Sequence, residues 1–144
     1  MLNDIPTLER LTHIFSQAVA PTFFLGAVAA FISLMSGRMT AIIDRIRDLN
    51  EIAEDDPRRH RLRSDIDRLK RRAGLLQNGI YVALLSGICA TLLIAILFAS
   101  EILGLDHAYG AAVLFFLATF LLGLALLRFA QEAWIGISDA DHYR

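Results

Sequence analysis

The charge of this chain is concentrated in a block of 35 residues, Arg38 to Arg72, which carries 11 of the 14 Lys and Arg residues and lies between long uncharged segments. A helix that spans a bilayer needs about 20 consecutive, predominantly apolar residues. Three stretches without Asp, Glu, Lys or Arg meet that length: Phe15 to Ser36, Ile80 to Ser100 and Ala108 to Leu127. The pattern predicts an all-α integral membrane protein with three transmembrane helices.

Composition argues against a soluble helical bundle and against the common classes of enzyme and transporter. Hydrophobic residues make up 56% of the chain, and none of the three apolar segments has the polar stripe of a soluble surface helix. The segments also lack the charged residues from which proton relays and ion-coupled transport sites are built. No glycine-rich phosphate loop, nucleophile elbow or HExxH motif occurs, so we expect no enzymatic activity, cofactor or metal site. The net charge of −1 predicts no nucleic-acid partner.

The two connections between the apolar segments differ in charge, which predicts the orientation of the chain. The second connection, Glu101 to His107, contains no Lys or Arg, in contrast to the charged block. Because short cytoplasmic connections are enriched in Lys and Arg, we expect the charged block in the cytoplasm. The N-terminus would then lie outside and the C-terminus in the cytoplasm.

Apolar residues recur through the charged block at alternating intervals of four and three, the heptad pattern of helices that pack along one face. Glu54 to Pro57 separates two such runs, with Asp56 as a candidate N-cap and Pro57 at a first helical position. We therefore predict that helices one and two extend into an antiparallel cytoplasmic helical hairpin. The apolar seam of the first arm is Met35, Met39, Ile42, Ile46, Leu49 and Ala53, and that of the second arm is Leu62, Ile66, Leu69, Ala73, Leu76 and Ile80.

These signals divide the chain into seven parts. Apolar residues at helical spacing near the N-terminus predict an interfacial helix, and Pro21 is expected to kink helix one or to mark where a surface helix enters the membrane. The predicted parts are the interfacial helix at 1–14, transmembrane helices at 15–37, 80–100 and 108–128, the charged hairpin at 38–79, the outer loop at 101–107 and the cytoplasmic tail at 129–144.

Helix one carries a second pattern of small residues, nearly opposite its apolar seam. Small residues allow helix backbones to approach closely in a bilayer. They are therefore expected to pack against helix three of the same chain, to contact a neighbouring subunit or to line a narrow pore. This small-residue face consists of Gly26, Ala30, Ser33, Gly37 and Thr40.

Two further candidate sites lie at the ends of helix one. At the outer end, Gln17 is expected to form hydrogen bonds at the membrane interface. Alternatively, Gln17 and Pro21, four residues apart on one face, line an entrance or bind an ion or lipid. At the cytoplasmic end, a charged group is a candidate for a pore mouth or for contact with anionic lipid, which attracts basic clusters beside a membrane. This group consists of Arg38, Asp44, Arg45, Arg47, Lys70, Arg71 and Arg72.

The string AVAPTFFLGAVAAFISLMSGRMTAIIDRIRDLN, from Ala18 to Asn50, is followed by a charged turn, by RLKRRAGLL and by two further apolar segments. In this it resembles the bacterial three-span membrane proteins of domain-of-unknown-function family 2721. The resemblance covers essentially the whole chain and implies a location in the bacterial inner membrane. It supplies no catalytic residues.

The function expected from these features is that of a homo-oligomeric membrane assembly or scaffold without catalytic activity. Its partners would be membrane lipids, further copies of itself and a cytoplasmic protein bound to the hairpin. The alternative is a small oligomeric ion channel or pore lined by the small-residue face. A further alternative is an anionic-lipid-binding protein.

Overall fold

The computed structural model describes residues 8–51, 59–104 and 108–141, which form three long helices and, within these ranges, no strand. The helices are α1 (Leu8–Asn50), α2 (Arg59–Leu103) and α3 (Ala108–Asp141). All three are long and apolar enough to cross a membrane. With 43 and 45 residues, α1 and α2 are each about 65 Å long, roughly twice the hydrocarbon thickness of a bilayer. The predicted all-helical chain with three candidate spans is confirmed.

Helix α2 packs against both other helices. Between α1 and α2, Met35 lies beside Gly79 and, seven residues earlier, Val28 lies beside Gly87. Residue numbers thus rise along one helix as they fall along the other, which is the order of contacts between antiparallel helices.

Helices α2 and α3 show the same antiparallel order. The buried Ser86 hydroxyl donates a hydrogen bond to the Ala118 carbonyl oxygen at 2.7 Å. The two helices are also close at Gly79, where an added Cβ would lie 3.6 Å from the Ala125 carbonyl oxygen and 3.1 Å from the sulfur of Met35. A small residue is therefore needed at the point where the three helices meet.

Helices α1 and α3 face each other through aromatic rings. Phe24 lies 6.1 Å from Phe115 between ring centroids, and Phe31 meets Phe129 edge-to-face at 5.5 Å. Such tilted arrangements suit the charge distribution of aromatic rings. These aromatic side chains fill the space between α1 and α3.

Buried residues recur every seven positions along each helix, so that one face of each helix forms the core. Within the apolar seams, Met35, Ile42, Leu49 and Leu76 are buried, whereas Ala53 and the predicted turn at Glu54 to Pro57 lie outside the described residues. Supercoiling of the two arms stays a prediction. The recurring core residues are Val28, Met35, Ile42 and Leu49 in α1, Leu76, Ala83 and Ala90 in α2, and Ala118, Ala125 and Glu132 in α3.

The helix ends differ in extent from the predicted parts. Residues 8–14 are the first turns of α1, which continues through Pro21 as one helix. The Thr22 hydroxyl donates to the Ala18 carbonyl oxygen at 2.7 Å in this region. Helix α3 continues to Asp141, well beyond the predicted end of its span. Gly104, with a φ of +64°, follows α2 in the left-handed conformation that commonly terminates helices.

Candidate functional site

A buried carboxylate joins all three helices. Glu132 of α3 is fully buried, and its Oε1 accepts hydrogen bonds from Arg72 of α2, at 3.0 Å from Nε and 2.8 Å from Nη2. Arg38 of α1 also reaches this carboxylate, with its Nη2 lying 3.3 Å from Oε1 and 3.1 Å from Oε2. The ion cluster of Arg38, Arg72 and Glu132 therefore draws one charged side chain from each helix.

Neighbouring residues hold both guanidinium groups in place. Arg38 lies over the ring of Phe129, 5.2 Å from its centroid, an arrangement in which the cation is attracted by the π-electrons. Arg72 lies against the backbone of α3 at Gly136, where an added Cβ would be only 2.7 Å from Nη2. The absence of a side chain at Gly136 is what lets Arg72 reach Glu132.

The ion cluster has an excess of positive charge. Two guanidinium groups face one carboxylate, so its formal net charge is +1. A buried ion is costly unless it is paired and hydrogen-bonded, and Glu132 meets this condition through Oε1. Its Oε2 receives no hydrogen bond within the described chain, although Arg38 is close to it.

The ion cluster lies where the apolar part of the bundle ends. Arg38 is the first charged residue after the uncharged run 15–37, and Arg72 is the last before the uncharged run 73–100. Because the helices alternate in direction, Glu132 reaches the same level from α3, four residues beyond Arg128. On α3, Arg128 lies one turn closer to the apolar run than Glu132, so the cluster lies close to the inner edge of the charged side of the bundle.

The structure separates the predicted charged group into two parts. It brings Arg38 and Arg72 together on Glu132. The shortest of these contacts is 2.8 Å, between Nη2 of Arg72 and Oε1 of Glu132. The remaining members are exposed: Asp44, Arg45, Arg47, Lys70 and Arg71. Among them, Asp44 and Arg47 form a loose surface pair at 3.8 Å.

Sequence reasoning did not identify Glu132 as a site residue. The only signal in the sequence is its spacing, because Glu132 follows the small residues Ala118 and Ala125 at intervals of seven. Those two alanines form the contact face of α3 and are fully buried. A carboxylate placed on that same face had to lie inside the bundle, and hence had to meet a cation.

The small-residue face of α1 is not covered by the described parts of the chain. All five of its residues are exposed, and a Cβ added at Gly26 or Gly37 would meet no described atom within 4 Å. The expectation that this face packs against helix three of the same chain is therefore wrong. Helix α1 directs its apolar seam towards α2 and leaves its small residues uncovered.

An apolar groove of about 530 Å³ adjoins this face near the other end of the bundle. It lies between the first half of α1 and the end of α2, and Gly26 belongs both to the groove and to the small-residue face. Gln17 and Pro21 are not among the residues that line the groove. Gln17 is exposed, and Pro21 is buried. The described residues of its wall are Phe15, Ala18, Val19, Thr22, Phe23, Gly26, Ala27, Ile94 and Phe98.

No group of three or more His, Cys, Asp or Glu side chains that could hold a metal ion occurs in the part of the chain that the structure describes.

Residues 18–141 match the family model described as "Protein of unknown function (DUF2721)". This match confirms the resemblance drawn from the sequence, which covers essentially the whole chain. No curated protein and no solved structure matches the chain.

Proposed function

This chain belongs to DUF2721, a family of proteins of unknown function, and on that premise we propose that it is a three-span membrane protein that assembles with copies of itself. The observation that carries the proposal is the exposed small-residue face of α1. Lipid tails are as apolar as leucine side chains, so helices associate in a bilayer through close packing rather than through the hydrophobic effect. A row of small residues with open space in front of it is suited to such packing.

The small buried fraction of the helices supports this proposal. Only 22% of the most apolar window of α1 and of α2, and 11% of that of α3, is buried within the chain. The groove adds a recess beside Gly26 into which a large side chain of a second copy fits. A neighbouring helix on this face would therefore combine backbone approach at Gly26 and Gly37 with insertion into the groove.

The charged parts of α1 and α2 are proposed to project into the cytoplasm. From Arg38 to Asn50, α1 has 13 residues beyond its uncharged run, a length of about 20 Å. The exposed charges of this part, including Asp44 and Arg45, keep it in water. In this arrangement the projecting hairpin packs with other copies or binds a cytoplasmic partner, and no catalytic step is assigned to it.

The proposal is tested by the oligomeric mass of the purified chain in a mild detergent. The double variant Gly26→Leu, Ser33→Leu fills the small-residue face and is expected to reduce a defined oligomer to the monomer. The matched control, Ala112→Leu with Gly123→Leu, adds similar bulk to α3, where a Cβ at Gly123 meets no described atom within 4 Å. It is expected to leave the oligomer unchanged.

Two results would contradict the proposal. One is a monomeric wild-type chain over a wide range of concentration. The other is an oligomer that withstands the α1 variant and is disrupted by the α3 control, which would place the contact on α3.

A pore is the second candidate function, because the same face is uncharged and carries the exposed hydroxyl residues Ser33 and Thr40. Copies arranged around this face would enclose a narrow path with arginines at one end, a composition that favours anions. Liposomes that contain the oligomer are expected to conduct chloride in preference to potassium. If no ion flux occurs when voltage, pH or membrane tension is changed, the pore is rejected and the proposal of self-assembly alone is kept.

A further inference from the structure

Arg38 is the most accessible member of the ion cluster. Its side chain is 38% exposed, compared with 18% for Arg72 and none for Glu132. Only Nη2 of Arg38 contacts the carboxylate, and no described residue accepts a hydrogen bond from its Nε or Nη1. Because an arginine has five N–H groups in a fixed fork, three of them remain available for another acceptor.

The excess positive charge of the cluster rests mainly on Arg38. Glu132 accepts two hydrogen bonds of 2.8 and 3.0 Å from Arg72, whereas the Arg38 nitrogen lies farther away, at 3.1 and 3.3 Å. The more buried guanidinium is thus the better neutralised one. Arg38 keeps a charge that an anion from outside the chain can balance.

The position of Arg38 selects the kind of anion. It lies directly after the uncharged run of α1, at the level where a bilayer changes from hydrocarbon to headgroups. One turn earlier on the same side of the helix, Leu34 is 53% exposed and offers an apolar surface beneath the guanidinium. The ring of Phe129 supports the guanidinium from the side of α3.

We propose that Arg38 is a specific binding site for the phosphate group of an anionic membrane phospholipid. The phosphate accepts a charge-assisted hydrogen bond from Nη1, the terminal nitrogen that does not contact Glu132, and an acyl chain runs along Leu34. Phe129 supports the guanidinium for this contact, and Glu132 offsets part of its charge. The site requires one copy of the chain and does not depend on self-association.

The test is lipid binding by the full chain in detergent, measured by native mass spectrometry with phosphatidylglycerol and with the zwitterionic phosphatidylcholine. The wild type is expected to prefer phosphatidylglycerol, and Arg38→Gln is expected to weaken its binding about fivefold or more, since one interfacial charge is worth about that factor. The control Arg45→Gln removes the same charge seven residues further along α1, about 10 Å from the apolar zone. It is expected to change binding less than twofold.

A second pair of variants reverses the sign of the effect. Glu132→Gln raises the formal charge of the cluster to +2 and is expected to tighten phosphatidylglycerol binding, whereas Asp48→Asn, the same change in an exposed position on α1, is expected to leave it unchanged. Loss of Glu132 also removes a buried ion pair, so Glu132→Gln is expected to be less stable. If this variant does not fold, the comparison of Arg38→Gln with Arg45→Gln tests the proposal. Inorganic phosphate at millimolar concentration is expected not to displace the lipid.

Three results would overturn the proposal. Equal binding of the two lipids by the wild type would remove the anion preference. Equal losses in Arg38→Gln and Arg45→Gln would indicate diffuse attraction by the charged block. Displacement of phosphatidylglycerol by inorganic phosphate would make the site one for a soluble anion.

Discussion

At the scale of single residues, two glycines lie where a neighbouring helix or side chain approaches closely. Gly79 lies where the sulfur of Met35 and the backbone of α3 approach α2, and Gly136 provides the space for the guanidinium of Arg72. Other glycines, such as Gly74, have no described atom within 4 Å of an added Cβ. Alanine substitution should therefore separate glycines that are required by contact from those that are not.

Gly136→Ala is expected to lower the free energy of unfolding by up to about 1.5–3 kcal/mol, the range for hydrogen bonds to charged groups. The added methyl group would lie 2.7 Å from Nη2 of Arg72 and would move this guanidinium away from Glu132. Thermal unfolding in detergent measures the effect. The control Gly74→Ala should be neutral or stabilising by up to about 1 kcal/mol, because alanine favours the helix. Equal effects of the two substitutions would contradict the assigned contact.

At the scale of helices, α2 and α3 are held by close contacts of small residues and by one ionic link. Ala118 and Ala125 are fully buried against α2, and the Ser86 hydroxyl bonds directly to the backbone of α3. Small apolar residues alone allow two helices to slide past each other, because each turn offers a similar surface. The bond between Arg72 and Glu132 exists in a single register and so distinguishes the correct pairing from its neighbours.

A double-mutant cycle tests this link. Arg72→Leu is expected to destabilise the chain by up to about 3–5 kcal/mol, because the buried Glu132 would keep only the more distant Arg38 as its cation. Glu132→Leu should cost less, since Arg38 and Arg72 are both partly exposed. The double variant is expected to be more stable than the sum of the two changes predicts, with a coupling energy of about 1–3 kcal/mol.

Unfolding of the wild type, both single variants and the double variant in the same detergent provides the four values of this cycle. Additive losses would show that the two side chains do not act as a pair. Substitution of the exposed Arg71 by leucine serves as the control, and it should couple to Glu132→Leu by less than about 0.5 kcal/mol.

At the scale of the whole molecule, one end of the bundle is rich in Lys and Arg, and the other end carries few charged residues. The alternating directions of the helices place the second half of α1, the first half of α2 and the end of α3 on one side. Arg38, Arg72 and Glu132 lie near the inner boundary of that side, together with Arg128. The opposite side contains the groove and the described start of α3, so the two sides would meet the two faces of a membrane very differently.

Cysteine labelling tests the proposed orientation. In a Cys89→Ala background, Asp48→Cys on the charged side and Tyr109→Cys at the start of α3 introduce single exposed thiols. A membrane-impermeant maleimide added to intact cells is expected to label the Tyr109 variant only, because Lys- and Arg-rich segments stay in the cytoplasm. Both variants should react after permeabilisation. Labelling of the Asp48 variant alone in intact cells would reverse the orientation.

Much of the fold could be predicted from the sequence because it depends on length and on local pattern. Uncharged runs of more than 20 residues predict helices that need a bilayer, and the heptad spacing of Met35, Ile42 and Leu49 correctly indicated the buried face of α1. The ends of the helices were harder to predict. Helix α3 continues past the end of its apolar run, and in this extension Glu132 and Gly136 both lie beside Arg72 of α2.

The sequence by itself determined that the chain is helical, that it has three candidate spans and that most of its Lys and Arg residues lie in one block. Which way each helix faces was decided only by the tertiary structure. In an apolar helix no polar stripe indicates the exposed side, so rotation about the helix axis follows from contacts with the other helices. Those contacts brought Arg38 and Arg72 onto Glu132 and left the small-residue face of α1 open, because a buried carboxylate requires a cation whereas small residues can pack against a neighbour or face lipid.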